Sequence, residues 1–445
     1  MTACSSAEDL TRVALKYGRG EVELDLSAAA SVQFLYGSEM PAIEDVASAF
    51  RRSVEDGAIG APLKSRVAAG DRVTIILSDL TRFWMRQDIV CELLVRYLES
   101  ECGIKDSDIA VLIALGTHRP MTEPELERVA SSYVYERVRV VNHDCDAADL
   151  VNVGTTSFGN PVEVHPLAVG RKVIVVSGTV HHLMAGYGGG RKSILPGVCS
   201  RATIRRNHRM CLDPDAPRSS ALVGSGKLTQ NPVNEEMSEA AALVNPAFGI
   251  SIVVNTDGAH SGLFCGDFEP AWRESCAFCQ RYYGRRIDAL SDVVIASCGG
   301  FPKDLNLYQG VKSLLNATNA MKDGGTFVFL CECPEGGGAP DFFDWTKPLS
   351  RGELDPALRE AFTIAGYIFY ASCESIARAG HFLMLSQIDP ALVRDMKIES
   401  FRDAKALLEH LDLAGKSVTV VPYGGYVLPQ TPETFARLNA EFLGE

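Results

Sequence analysis

Residues 173–198 have the sequence VIVVSGTVHHLMAGYGGGRKSILPGV. The unbroken apolar run at 173–176 predicts a strand that is buried on both faces, as the strands of parallel sheets are. Two histidines, a glycine-rich segment and a lysine follow it. In open α/β sheets, ligands bind beyond the carboxyl ends of the strands. This stretch therefore predicts an α/β fold with functional residues in the loops after its strands.

The same pattern recurs along the chain. Further strands are predicted at residues 73–77, 109–114, 138–141, 250–254, 293–296, 326–330 and 417–421. Amphipathic helices are predicted at residues 88–98, 234–243, 306–321 and 401–411. This alternation over 445 residues predicts two mostly parallel sheets, each flanked by helices. We place the boundary in the Gly-, Asp- and Ser-bearing stretch 257–270. The expected units are an N-terminal domain at 1–265 and a C-terminal domain at 266–445, with the active site in the cleft between them.

Composition narrows the class of protein. The chain has 43 basic and 56 acidic residues, a net charge of −13, and no basic block. This balance argues against a nucleic-acid partner, because proteins that bind phosphate backbones usually carry a basic surplus. No apolar run reaches the length of about 18 residues that a membrane span needs. The first twenty residues lack the pattern of a secretory signal peptide. We therefore expect a cytoplasmic enzyme.

The cysteines fit a reducing compartment. Their number is 13, which is odd, and the chain is too large to need disulfides for stability. Cys276 and Cys279 form one close pair, and Cys331 and Cys333 form another. A zinc site normally combines two such pairs with loop geometry around them. We therefore predict buried, reduced thiols that act as small apolar side chains.

Two polar segments follow predicted strands in the first half. SDLTR at 78–82 offers either a simple helix N-cap or a clamp in which Arg82 binds a carboxylate or phosphate. GTHRPMTEPEL at 116–126 contains a capping box, formed by Thr122 and Glu125, that starts the next helix. His118 lies between the strand and this cap, which is the position that Asp79 and Arg82 occupy after their own strand.

The glycine-rich segment resembles a phosphate-binding P-loop only in part. Gly186 and Lys192 fit that motif, but Arg191 stands where its second glycine is required. The strand also ends about ten residues too early for a P-loop. Residues 188–190 are still expected to bring backbone N–H groups close to a phosphate, with Lys192 beside it. The segment predicts a nucleotide-like ligand and argues against ATP hydrolysis.

Two more segments carry candidate groups. His208 lies in RRNHR at 205–209, where neighbouring arginines favour the neutral imidazole that can bind a metal, although a histidine in such a run is commonly just solvated. CGGFPKDLNLYQGVKSL at 298–314 follows a strand of the second half and directs polar side chains toward a cleft; these are Lys303, Asp304, Tyr308, Gln309 and Lys312. From the residues alone we predict an enzyme with paired histidine acid/base groups that acts on a small anion.

Five motifs together resemble the nickel-dependent lactate racemase family. DLTR, GTHRPMT, HHLMAGYGGGRKSILPG, NH and GGFPKDLNLYQGVK occur here in the order and spacing of that family, which covers essentially the whole chain. The resemblance implies a nickel-pincer nucleotide, that is, a pyridinium-3-thioamide-5-thiocarboxylate mononucleotide that holds nickel. It also implies covalent attachment of this cofactor to Lys192 and ligation of the nickel by His208.

The family's other roles map onto numbered positions of this chain. His118 and His182 resemble the two catalytic histidines; His182 is chosen over His181 because it lies ten residues before Lys192. The remaining positions resemble residues that bind the cofactor, namely Asp79, Leu80, Thr81, Arg82, Gln309 and Lys312. Those that resemble substrate-binding residues are Arg82, Tyr308 and Lys312.

The resemblance implies a two-base racemisation of a 2-hydroxy acid. Removing the carbon-bound proton beside a carboxylate is too costly near neutral pH, so the cofactor takes a hydride instead. One histidine takes the hydroxyl proton and the other returns a proton after the oxo acid has turned. The implied partners are a small 2-hydroxy acid and the enzymes that make the cofactor, with no nucleic acid and no membrane.

The substrate and two alternatives stay open. Residues 83–85 (FWM) replace a proline-containing segment common in the family, and residues 368–380 lack a tryptophan that some lactate-acting members have. The acid is therefore lactate or a larger one, such as malate, a phenyl-bearing hydroxy acid or a sugar acid. One alternative is an epimerase of such an acid or a relative that releases the oxo acid. The other is a non-catalytic carrier of nicotinate-derived nucleotides, which would not need both His118 and His182.

Overall fold

The computed structural model describes residues 12–444, so that Cys4 and the start of the chain used in the signal-peptide prediction lie outside it. Within this range the strands are β1 (Arg12–Tyr17), β2 (Gly20–Asp25), β3 (Ser31–Phe34), β4 (Val73–Ser78), β5 (Ile109–Ala114), β6 (Arg139–Asn142), β7 (Val151–Thr155), β8 (Pro161–Val164), β9 (Lys172–Gly178), β10 (His181–His182), β11 (Gly186–Tyr187), β12 (Phe248–Val254), β13 (His260–Gly266), β14 (Gly284–Arg286), β15 (Ser291–Ser297), β16 (Met321–Leu330), β17 (His381–Leu385), β18 (Glu399–Phe401), β19 (Ser417–Val421) and β20 (Leu428–Gln430).

The helices of the same range are α1 (Val46–Val54), α2 (Gln87–Ser100), α3 (Glu123–Ala130), α4 (Ser132–Arg137), α5 (Arg201–Arg209), α6 (Pro232–Val244), α7 (Phe268–Tyr283), α8 (Leu307–Ala317), α9 (Thr346–Ser350), α10 (Leu354–Glu360), α11 (Ile364–Ala377), α12 (Pro390–Val393), α13 (Ala404–His410) and α14 (Pro432–Leu443).

The first large sheet has the strand order β13-β12-β9-β4-β5-β6. Its strands are parallel except for β13, which pairs antiparallel with β12 at one edge. Helix α7 packs on β12 and β13, and α2 contacts β9. All seven residues of β12 are buried, as expected for a strand that is covered on both faces.

The second large sheet has the order β18-β17-β16-β15-β19-β3, and all of its pairings are parallel. The two sheets confirm the predicted α/β class with two mostly parallel sheets flanked by helices. Each of the eight predicted strands is present, with ends that differ from the prediction by a few residues at most, apart from the longer β16.

The start of the chain belongs to the second sheet. Strand β3 pairs parallel with β19, and the β1–β2 hairpin covers one face of that sheet. Leu15 and Leu24 of the hairpin are buried in one cluster with Ile295, Val328 and Leu385 of the sheet. The sequence analysis did not predict these strands, because β3 alternates between exposed and half-buried residues and has no continuous apolar run.

Three predicted segments differ in detail from the structure. Residues 260–266 of the stretch expected to hold the domain boundary form β13, the edge strand of the first sheet, and the boundary itself stays a prediction. The helix predicted at 306–321 ends as α8 at Ala317, because a 3₁₀ turn and then β16 follow. The helix predicted at 401–411 begins only at Ala404, because the side chain of Asp403 accepts from the N–H groups of Lys405 and Ala406 and caps it there.

The thiols of the described residues agree with the prediction of buried, reduced cysteines. The cysteines of the described residues are free, and all but Cys373 are buried. Cys331 and Cys333 lie with their Sγ atoms 3.3 Å apart. Between residues 12 and 444, no helix combines the length and the apolar character that crossing a membrane requires.

The packing of the hairpin leads to a stability prediction. Leu24→Ala should lower the free energy of unfolding by about 2–5 kcal/mol, because it leaves a cavity between the hairpin and the second sheet. Glu23→Ala, on the exposed face of the same strand, is the matched control and should change it by no more than about 0.5 kcal/mol. Urea unfolding followed by circular dichroism measures both values. Equal stability of the two variants would contradict the packing of β2 on the second sheet.

Candidate active site

Polar residues follow three neighbouring strands of the first sheet at their carboxyl ends. Asp79 comes directly after β4, His118 lies four residues after β5, and His182 lies four residues after β9. Asp79 precedes a 3₁₀ helix at Leu80–Met85, but its side chain makes no capping bond there. The N-cap interpretation of this segment is therefore wrong, and the carboxylate is available for other contacts.

Asp79 joins the first two segments. Its Oδ2 contacts Nδ1 of His118, and its Oδ1 accepts a 2.6 Å hydrogen bond from the Thr81 hydroxyl. Arg82 donates in turn to the Thr81 hydroxyl at 2.9 Å. Burial alone would raise the pKa of Asp79, but the hydrogen bond and charge of His118, with Arg82, hold it below its ordinary value. Asp79 is thus a buried carboxylate, whereas His118 is 39% exposed.

His182 lies on a tight hairpin formed by β10 and β11. The backbone N–H groups of Met184 and Ala185 each donate to its Nδ1 at 3.2 Å. Burial lowers the pKa of His182 well below its ordinary value, and the charges of Lys192 and Lys312 lower it further. The ring is therefore neutral near pH 7.

His181 points elsewhere. Its Nδ1 lies 3.1 Å from the carbonyl oxygen of Tyr426, and its ring packs 5.0 Å from that of Tyr187. Burial lowers the pKa of His181 to about 4. His181 thus contacts the second half of the chain, while His182 faces the cationic groups.

Arg191 organises the glycine-rich loop from within. Its side chain is fully buried, and the described residues offer it no carboxylate partner. It donates to the carbonyl oxygens of Ala185 and Tyr187 and to Oδ1 of Asn234, and it stacks 3.7 Å from the ring centroid of Trp272. The sequence analysis treated Arg191 only as a mismatch to a P-loop. Its place beside Lys192 in the loop was the available signal.

The glycines of this loop serve packing more than phosphate binding. A Cβ on Gly189 would lie 2.8 Å from the carbonyl oxygen of Gly178, and one on Gly190 would lie 2.5 Å from the Trp272 ring. The N–H groups of Gly188 and Gly190 already donate to Val180 and Ser177. The expectation that residues 188–190 turn their N–H groups to a phosphate is therefore wrong for two of the three.

Lys192 follows Arg191 and makes no ion pair within the described part of the chain. Burial lowers its pKa to about 7, and the charges of Arg191 and Arg82 act in the same direction. A large fraction of Lys192 is consequently a neutral amine at neutral pH. Such an amine is a nucleophile and can form a covalent bond to a bound group.

His208 is buried, not solvated as an arginine-rich helix suggested. It is 2% exposed, and its Nδ1–H donates to the Ile204 carbonyl oxygen at 3.1 Å within α5. Burial lowers its pKa to about 3, and the charge of Lys192 contributes. The ring is therefore neutral, with its Nε2 lone pair free to bind a metal.

The second sheet contributes α8, which begins at the cap formed by Asn306. Lys312 Nζ donates to Oε1 of Gln309 at 2.7 Å. Burial lowers the pKa of Lys312 well below its ordinary value, and Arg82 and Lys303 lower it further through their charges. Burial raises the pKa of Tyr308, on which Arg82 acts in the opposite direction. The charge of Arg82 acts on both Tyr308 and Lys312, so α8 lies close to the Asp79–Arg82 segment.

Lys303 was a candidate from the sequence, whereas its partner Tyr426 and the buried Tyr367 were not. Lys303 Nζ lies 3.7 Å from the ring centroid of Tyr426 and 5.2 Å from that of Trp84, so it joins the FWM segment to the second half. Tyr367 of α11 is buried, and its hydroxyl lies within hydrogen-bond reach of the Cys211 side chain. Cys211 comes three residues after His208. Tyr367 lies one residue before the stretch 368–380, in which a tryptophan was expected and is absent.

One cluster of three potential metal ligands occurs among the described residues, at Asp144, Cys145 and Asp146. Asp146 forms an ion pair with Arg201 at 2.7 Å, and both acidic residues are exposed. The cluster's two carboxylates are thus exposed, unlike the buried His208. The pocket itself offers single donors, the Lys192 amine and the His208 imidazole, so a metal there needs ligands from a bound group.

Comparison with known proteins gives consistent matches over both halves. Residues 17–219 match the lactate racemase N-terminal domain, and residues 287–428 match the lactate racemase C-terminal domain. A lactate racemase of Lactiplantibacillus plantarum is 30% identical over 387 residues, which are 83% of this chain and 88% of that protein. One of Thermoanaerobacterium thermosaccharolyticum is 32% identical over 303 residues, which are 67% of this chain and 68% of that protein. The solved lactate racemase apoprotein from T. thermosaccharolyticum has a TM-score of 0.82 and 26% identity, over 94% of this chain and 100% of that one.

The lowered pKa of Lys192 leads to a labelling prediction. Below pH 7 the amine is mostly protonated and unreactive, and above it the neutral form dominates. The rate at which an amine-reactive ester labels Lys192 should therefore rise with a midpoint near pH 7. Lys16, whose pKa is raised by its hydrogen bond to Glu21, is the control and should react only at much higher pH. Peptide mass spectrometry measures both rates, and a shared midpoint would contradict the assignment.

Proposed function

The chain belongs to the lactate racemase family, whose named members are isomerases, and from this premise we propose that it racemises or epimerises a 2-hydroxy acid with a nickel-pincer nucleotide. The single observation that carries the proposal is that three buried groups from separate segments lie within electrostatic reach of one another, since the charge of Lys192 lowers the pKa of both His182 and His208. A cytoplasmic location and the cofactor-synthesis enzymes as partners belong to the same proposal.

The residues of the pocket fit this cofactor. Lys192 is the neutral amine that forms the thioamide link, and His208 offers a free Nε2 lone pair to nickel. Lys192 would hold the nucleotide and His208 would bind its nickel, whose remaining donors would come from the nucleotide itself. Arg82 and Lys312 offer positive charge to the cofactor's phosphate and to the substrate's carboxylate. When it is bound, the cofactor supplies an acceptor for the substrate's hydride.

The cationic groups fix the substrate by its carboxylate. Arg82 uses one nitrogen on Thr81, which leaves the rest of its guanidinium for an anion. Lys312, held by Gln309, and Tyr308 face the same space from α8. Because the carboxylate is held from both sheets, the carbon that bears the hydroxyl group keeps its position while its substituents turn.

The two histidines act on the hydroxyl group. His118 follows β5 and His182 follows β9, the two strands that flank β4 in the first sheet. Both exchange a proton with the substrate oxygen as the hydroxy acid is oxidised and the oxo acid is reduced again. Asp79 stabilises the positive charge that His118 acquires. The buried walls of the pocket exclude water, which keeps the oxo acid from being lost or hydrated.

The size of the substrate acid that fits depends on the pocket residues that differ from the family pattern. Trp84 lies close to Gly178 at the end of β9, and Tyr367 occupies the neighbourhood of Cys211 and His208. We propose lactate or a related 2-hydroxy acid as the substrate, with malate, a phenyl-bearing hydroxy acid and a sugar acid as the further candidates. An epimerase of a sugar acid is the alternative within the same chemistry.

The function is tested with protein produced together with cofactor-synthesis enzymes. Chiral chromatography should show that one pure enantiomer of at least one of these acids becomes a mixture without net oxidation. Intact mass should increase for the wild type and stay that of the bare chain for Lys192→Ala. A loaded wild type that leaves every acid unchanged, or equal loading of the variant, would contradict the proposal.

The metal ligand has its own test. His208→Gln keeps much of the buried volume but lacks the imidazole nitrogen, so nickel should be lost or bound at least about 10–100-fold more weakly, since even changes beyond the direct ligands cost that much. Arg205→Ala, on the same helix, is the control and should keep nickel. Inductively coupled plasma mass spectrometry after dialysis measures the content. Full nickel occupancy in His208→Gln would remove His208 from the site.

A further inference from the structure

Lys303 brings a cation to the pocket that the proposed function does not use. Its Nζ lies 3.7 Å from the ring centroid of Tyr426 and 5.2 Å from that of Trp84. Its aliphatic stem passes beside Gly425, where a Cβ would lie 3.4 Å from Cδ of Lys303. The face of an aromatic ring attracts a cation but carries no net charge. These contacts therefore hold the ammonium group in place without neutralising it.

No carboxylate of the described chain forms an ion pair with Lys303. The lysines that do form such pairs there are Lys16, Lys322 and Lys347. The carboxylate of the next residue, Asp304, is buried and accepts a 2.6 Å hydrogen bond from the N–H of Gly18. Asp304 is thus engaged with the turn between β1 and β2, and the positive charge of Lys303 is left for a bound anion.

Lys303 lies on the outer side of the cationic pocket. Burial lowers the pKa of Lys312 most, and the charges of Arg82, Lys303 and Lys192 lower it further. For His182, burial again lowers the pKa most, and the charges that add to it are those of Lys192, Lys312 and Arg82. Lys303 is therefore close to Lys312 but farther from His182, and so from the carbon at which the substrate reacts.

The nucleotide of the proposed function needs a cation in such a position. If its ring is attached at Lys192 and its nickel is bound by His208, its phosphate lies away from the reacting centre, because a ribose separates ring and phosphate. A phosphate monoester carries about −1.5 to −2 charges at pH 7, so a single cation does not neutralise it. The glycine-rich loop does not offer its N–H groups instead, since those of Gly188 and Gly190 donate within the protein.

We propose that Lys303 binds the phosphate of the cofactor nucleotide, and that the rings of Trp84 and Tyr426 position its ammonium group for this contact. The assignment rests on the proposed function and adds a binding residue to it. Trp84 follows β4 of the first sheet, whereas Lys303 and Tyr426 follow β15 and β19 of the second. The phosphate is then bound by a contact to which both sheets contribute. Lysine binds phosphate as a point charge, so arginine should replace it in part.

The first test compares two probes on the full-length, cofactor-free protein. Nicotinate mononucleotide and nicotinate riboside differ only by the phosphate, and isothermal titration calorimetry measures the affinity of each. The wild type should bind the mononucleotide about tenfold or more tightly than the riboside, as expected for a hydrogen bond between charged groups. Lys303→Met keeps the length of the stem but removes the charge. It should lose most of this preference and leave the affinity for the riboside unchanged.

Two further variants control this test. Lys303→Arg keeps the charge and should retain a clear preference for the mononucleotide. Lys105→Met removes an exposed lysine that precedes β5, at the opposite end of the strand from His118, and should change neither affinity. A wild type that binds both probes equally, or a Lys303→Met variant with the wild-type preference, would overturn the proposal.

The second test distinguishes the cofactor's phosphate from an anionic group of the substrate. When the protein is made with cofactor-synthesis enzymes, intact mass should show less loading of Lys303→Met than of the wild type, and Lys303→Arg should restore it. In the loaded fraction the KM for the acid should stay close to the wild-type value. Full loading with a KM raised about tenfold or more would assign Lys303 to the substrate and overturn the proposal. A wild type that prefers the mononucleotide but, once loaded, racemises no acid would instead contradict the proposed function, so the two failures are distinguishable.

Discussion

The geometry of the pocket depends on one buried cation. The Arg191 guanidinium has no carboxylate partner in the described chain and is held by carbonyl oxygens and by the face of Trp272. An uncompensated buried charge is costly unless its donors are well satisfied. The contacts that satisfy it also tie the hairpin that bears His182 to the residue before Lys192. The charge therefore fixes the distance between two functional segments and lowers the pKa of Lys192 at the same time.

Burial gives this pocket its chemistry. Lysine and histidine are usually charged or partly charged near neutral pH, but here desolvation and neighbouring cations keep His182 and His208 neutral and leave a large fraction of Lys192 as the neutral amine. Only Asp79 holds a negative charge among the predicted site residues, and it is committed to His118. The remaining cations favour anionic ligands. Neutral nitrogen donors surrounded by cationic side chains suit a ligand whose outer groups are negatively charged and whose central atoms are soft in the sense of metal–ligand chemistry.

Much of the fold and the positions of the site residues could be predicted from the sequence. Apolar runs such as that of β5 identify buried strands directly, and the parallel arrangement then brings Asp79 and His118 to one edge. Side-chain partners are different, because they depend on contacts between distant segments. No local pattern indicates that Asp79 meets His118, and the arginines around His208 suggested solvent exposure although the ring is buried. Strand β3 escaped prediction because it has no continuous apolar run, and nothing local shows that its partner lies at the other end of the sequence.

That pairing has a consequence for how the protein is made. Residues 31–34 leave the ribosome long before the strand they pair with, Ser417–Val421, is synthesised. Contacts between such distant segments slow folding, and an unpaired strand is prone to aggregate. The first sheet is complete by residue 266 and is free to form during translation, whereas the second must wait for residues 417–421. A nascent chain that stalls before residue 417 would thus leave β3 and the edge of β15 unpaired, which makes it a natural target for chaperones and proteases.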